Sequence, residues 1–105
     1  MKGVDIMTKI YGIEIFIEHD YGRGITNMET EIRETINNFK GIRYFKNKYE
    51  RKMFIREYYK AMEKYCPSYD GDVTVFTDWA TWEIGICMKE IEEEIKPIKM
   101  RERVH

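Results

Sequence analysis

From residue 9 to residue 19 the chain reads KIYGIEIFIEH, and Tyr11, Ile13, Ile15 and Ile17 alternate there with Gly12, Glu14, Phe16 and Glu18. A period of two places the first set on one side of an extended chain, so this segment is expected to be a strand with one face on a core. A different period follows the loop with glycines at 22 and 24. Met28, Ile32, Ile36 and Phe39 recur at helical spacing behind a Thr26/Glu29 capping box, and Gly41 suits the left-handed residue that ends a helix. The spacing predicts a first helix over about 27–40.

Residues 41–47, GIRYFKN, are too short a run to assign. Asn47 with Glu50 marks a second helix start, after which Phe54, Tyr58, Ala61 and Tyr65 form a stripe flanked by Ile55, Tyr59 and Met62. That helix is expected to end at Cys66, because Pro67 disfavours helical geometry in the residue before it. PSYDGD is a turn cluster, and the next segment reads as a hairpin. Val73 and Val75 mark one face of its first strand; Trp82, Ile84, Ile86 and Met88 mark one face of its second; Asp78, Trp79 and Ala80 connect them. Beyond residue 89, the i, i+4 spacing of Ile91 and Ile95 predicts a short helix, and Ile98, Met100 and Val104 after Pro97 predict an edge strand. The first eight residues read as a loose leader, with Met7 an alternative start. The expected order β, α, α, β, β, with that last helix and strand appended, describes a single α+β domain. It is a two-layer sandwich, with two main helices on one face of a small, mostly antiparallel sheet of three to four strands.

Composition agrees with that picture. A hydrophobic fraction of 43% with 35% charged residues is that of a soluble globular chain, neither disordered nor membrane-spanning. No apolar run approaches the roughly 20 residues a spanning helix needs. IYGIEIFI carries Glu14 and precedes no small-residue cleavage site, so a cytoplasmic protein is expected. Cys66 and Cys87 lack metal-type spacing and are expected to be reduced core residues. Glu90, Glu92, Glu93 and Glu94 lack the loop and glycine of a calcium site and are expected to form a solvated face. No metal or cofactor is expected.

Net charge is −1, yet residues 40–64 hold nine Lys or Arg against three Glu, and the flanks are acidic. A bipolar surface should result. Within the basic segment Lys46, Lys48, Arg51, Lys52 and Arg56 stand among aromatics including Tyr49, a mixture suited to phosphates or to an acidic partner, although aromatics at this spacing are also core formers. Trp79 at the hairpin tip is a candidate contact, since tryptophan is enriched in binding hot spots. The loop after the first strand offers His19, Gly22, Arg23, Gly24 and Thr26 as an anion site at a helix N-terminus. It lacks the third glycine of a dinucleotide fingerprint and the Gly-Lys-Ser/Thr of a P-loop, so a plain turn is the stronger reading. His19 and Asp20, adjacent in a strand, should point to opposite faces, which argues against a catalytic pair.

The expected function is accordingly a non-catalytic protein-binding module. Its profile is that of an inhibitor carried by a virus or mobile element and directed at a host nucleoprotein machine. Nucleic-acid binding by residues 40–60 is the alternative, and anion binding or phosphodiester chemistry at the glycine loop stands behind it. A homodimer through an exposed edge strand is compatible with so small a sheet.

Overall fold

The computed structural model describes residues 8–22, 27–78 and 80–95. Six elements follow one another: β1 (Thr8–Tyr21), α1 (Asn27–Phe39), β2 (Gly41–Phe45), α2 (Lys48–Glu63), β3 (Asp72–Phe76) and β4 (Thr81–Ile95). All strand pairs are antiparallel, in the order β2-β1-β4-β3. The expected α+β class and the antiparallel sheet are therefore found.

Alternation decides which side of the sheet is covered. Ile13 and Ile15 of β1 share one buried core with Val73, Trp82, Ile84 and Ile86 of the β3–β4 hairpin, and Ile32, Ile36, Tyr58 and Met62 of the two helices close that core. Both helices thus lie on one face. Asn47 caps α2 as expected, its side-chain oxygen accepting the Glu50 N–H at 2.8 Å. Gly41, at φ 116°, provides the left-handed turn from α1 into β2, with nothing near the position a Cβ would take. The glycine is needed there for its backbone alone.

Three expectations are corrected. GIRYF is a strand, β2, pairing with β1 from Tyr11↔Phe45 to Ile15↔Gly41. α2 ends at Glu63 rather than Cys66; the N–H groups of Tyr65 and Cys66 both reach back to the Met62 carbonyl in a last tightened turn. The predicted helix around Ile91 and Ile95 is the continuation of β4, which runs beside β1 as far as Thr8↔Ile95. A spacing of four residues puts two side chains together on a helix and also on one side of a strand, so this pair was ambiguous by its own geometry. The leader before Thr8 and the edge strand after Pro97 lie outside the described residues, as do Thr26 and Trp79.

Arg51 joins the layers. It leaves the first turns of α2 at 5% exposure, and its Nη1 donates to the main-chain oxygens of Gly12 and Ile91, one on each central strand. Its Nη2 lies 3.2 Å from Glu90 and 3.3 Å from Glu92, and its guanidinium stacks over Tyr11. Half of the acidic cluster therefore faces this arginine rather than forming one solvated edge.

Candidate partner-binding surfaces

β1 delivers His19 and Asp20 to the lip of the glycine loop. Strict alternation from Tyr11 would leave Asp20 on the uncovered face, but the register slips between Ile17 and His19, so that Glu18 is an extra residue. A bulge of this kind re-aims the side chains beyond it. Asp20 pairs with Ile84 on the covered side and His19 with Gly85 on the other. Asp20 accepts the Trp82 indole N–H at 2.9 Å and takes two bonds from Arg33, at 2.6 and 2.9 Å. Arg33 also donates to Glu29 at 2.7 Å and lies over the Trp82 ring.

This arrangement does not suit an anion. The one arginine beside the loop in the described residues is shared by two carboxylates, which, with their hydrogen bonds, hold the guanidinium more firmly in its charged form despite its partial burial. Gly22, at φ 88°, is built for a turn: a Cβ there would run into the Thr81 carbonyl oxygen. His19 faces away, its imidazole packed on Gly85, stacked with Tyr21 and 3.8 Å from Glu83. Arg23, Gly24 and Thr26 lie outside the described residues. Among the described residues, no group of His, Cys, Asp and Glu forms a metal site. The Cys87 thiol is tied to Glu18, which raises its pKa and keeps it from the thiolate form a nucleophile needs.

Two other surfaces remain. The first is the face of the sheet that no helix covers. Ile42 and Tyr44 of β2 stand there beside Phe16 of β1 and Cys87 and Ile91 of β4, in rows set by the pairs Gly12↔Tyr44, Gly12↔Ile91 and Phe16↔Cys87. The Tyr44 ring lies across Gly12, where a Cβ would come within 2.9 Å of it. Ile42 and Tyr44 nevertheless remain 54% exposed, and Phe76, on the same face at the end of β3, is 74% exposed. Around these residues stand Glu14, Glu18, Asp72, Glu83 and Glu93, against Lys89 and, in the cleft beside Tyr44, Lys9 and Lys46. Sequence reasoning missed this surface, although Phe16 at a position of the exposed parity was its signal.

The second surface is α2. Of the residues singled out in the basic segment, Arg51 is buried and committed to the sheet, while Lys46, Lys48, Tyr49, Lys52 and Arg56 are exposed. Lys48, Lys52, Arg56, Lys60 and Lys64 follow at intervals of four, so they form one row along the helix, all of them exposed. No carboxylate lies within 4 Å of any of them among the described residues, although Glu57 and Glu63 share the helix and Glu90 lines the cleft beside Lys48 and Lys52. Like charges four apart on a helix each cost about 0.2–0.5 kcal/mol, so the three successive pairs within α2 cost about 1 kcal/mol, part of which Lys60 recovers from Glu57 and Glu63 three residues to either side. Lys48 and Lys52 also stand at the positive end of the helix dipole. Lys52→Glu, which turns two repulsive pairs into attractive ones, should stabilise the protein by about 1 kcal/mol and raise Tm by several degrees in a thermal melt. Unchanged or lowered stability would show that the row is not strained.

Comparisons with protein-family models, curated proteins and solved structures give no significant match. No helix among the described residues is long and apolar enough to cross a membrane.

Proposed function

We propose that this protein is a protein-binding module that receives its partner on the uncovered face of the sheet. The observation that carries this reading is the row of Ile42, Tyr44 and Phe16, large apolar side chains left in water on an otherwise ordered face. A contiguous apolar patch with a charged rim is the form interaction sites take, and water-exposed aromatics of this size are costly to keep unless they are covered in use. The rim is acidic, so the partner surface is one with an apolar centre and basic surroundings, approached under electrostatic attraction. Acidic surroundings also disfavour nucleic acid on this face.

Affinity capture from cell lysate, followed by titration of the captured protein, tests this. Ile42→Glu with Tyr44→Glu should weaken binding at least tenfold, with circular dichroism and Tm little changed because both side chains are half exposed. Charge reversal on α2 should leave that affinity largely intact. Equal binding by the sheet-face variant, or loss only in the α2 variant, would move the contact to another surface.

A further inference from the structure

We infer that the α2 row of Lys48, Lys52, Arg56, Lys60 and Lys64 is a second binding site, for the phosphate backbone of double-stranded nucleic acid. This goes beyond the sheet-face reading and uses the opposite layer of the molecule. Three observations converge on it.

The first is that the protein pairs the cations it uses structurally. Arg33 is bound by Asp20 and Glu29, and Arg51 by Glu90, Glu92 and two main-chain carbonyls. The five cations of the row have no carboxylate within ion-pair distance among the described residues, in a chain that carries more acids than bases. Secondly, at Lys48, Lys52 and Arg56 the spacing works against the helix that carries them, so helix stability does not explain those three. The third observation is geometric. Each step of four residues turns the helix by about 40°, so over about 24 Å the row climbs around α2 and its central members Lys52, Arg56 and Lys60 share the outward face, three cations that one run of phosphates can meet together. Lys48 lies 6.0 Å from the Tyr11 ring, at the edge where the row meets the sheet.

Duplex rather than single-stranded nucleic acid is indicated by what the row lacks. Single strands are held by aromatic platforms on which bases stack. Tyr49 is the exposed aromatic beside the first lysine, while Tyr65, beneath Lys64, and Tyr59, in the aromatic cluster with Tyr58 and Tyr69, are half-buried. Contacts to phosphate alone give binding that is independent of base sequence and strongly dependent on salt. The acidic rim on the far side of the sheet would point away from the duplex, which orients the protein on it.

Fluorescence anisotropy with a labelled duplex of about 20 base pairs and arbitrary sequence, between about 50 and 200 mM salt, tests the inference. The full chain should bind with a log–log salt slope of about −3, from about −0.9 for each of the phosphates met by Lys52, Arg56 and Lys60. Lys52→Ala should reduce the slope by about 1. Lys52→Glu combined with Arg56→Glu should lose at least tenfold in affinity while melting no lower than the parent protein, which separates lost binding from lost folding. A single strand of equal length should bind more weakly, and poly-glutamate more weakly still. No duplex binding at the lower salt, or a slope unchanged by Lys52→Ala, would overturn the site. Tighter binding of the single strand would overturn the choice of duplex, and tighter binding of poly-glutamate would make the row a dock for an acidic protein instead.

Discussion

Asp20→Ala should lower the unfolding free energy by about 3 kcal/mol, the largest effect expected of any polar side chain among the described residues. The carboxylate has two jobs at once. It accepts the Trp82 indole N–H, and Trp82 is wholly buried. It also receives the two-bond contact of Arg33, whose side chain is mostly shielded from water. Removing Asp20 leaves a buried N–H without this acceptor and an arginine with one of its two carboxylate partners among the described residues, and an orphaned group costs more than its bond contributed. Asp20→Asn retains an acceptor for the indole and gives up the charge, so it should fall between the parent and alanine. Urea unfolding of the three proteins measures this. Alanine within about 0.5 kcal/mol of the parent would show that water replaces the carboxylate.

Arg51 differs, being more deeply buried than Asp20. Its carboxylate partners are well exposed, Glu90 at 59% and Glu92 at 38%. They regain water if the arginine is removed, so the uncompensated-charge penalty that makes Asp20 costly is largely missing there. Burial of the group itself is a poorer guide to the cost of losing it than burial of what it leaves behind.

The residues that the sequence made legible are those whose role depends on local period. Tyr11 to Ile17 and Trp82 to Met88 alternate so clearly that their faces are fixed at once, and the Asn47 cap needs only its neighbours. What could not be read depends on contacts distant in sequence. The bulge at Glu18 exists because the register between β1 and β4 shifts, and it alone sends Asp20 toward Trp82, sixty-two positions away. β2 has five residues and takes its identity from β1. Arg51 looked like its basic neighbours, and only the fold turns it inward while leaving Lys48 and Lys52 in water. The candidate surfaces divide in the same way. The period of four that builds the α2 row is present in the sequence, whereas the uncovered sheet face appears only when both helices are known to pack on the other side.

A buried contact of this long-range kind supplies the second large effect. Tyr69, in the turn before β3, places its hydroxyl against that of Tyr58 beneath α2, at 6% and 1% exposure. Tyr58→Phe should cost about 1–3 kcal/mol, because the Tyr69 hydroxyl stays buried and loses this partner. Tyr58→Phe with Tyr69→Phe removes both polar groups and keeps both rings, so the double variant should recover most of the loss. The pair also sets an alkaline limit. Burial pushes Tyr58 up to about 12, and it raises Tyr69 too, helped by the bond to Tyr58. In the unfolded chain both ionise near about 10. Above that pH the folded state holds more protons than the unfolded state, and stability therefore falls as pH rises. Stabilisation from the neutral pair is complete below about pH 10 and is lost as pH rises, for Tyr58 through the interval up to about 12 and for Tyr69 beyond it, at up to about 1.4 kcal/mol per pH unit for each proton. Urea midpoints at pH 8, 10 and 11 should decline steeply for the parent and much less for the double variant. Parallel declines in both proteins would place the alkaline transition elsewhere, and a double variant as unstable as Tyr58→Phe would mean that the rings, not the hydroxyls, are what the pair contributes.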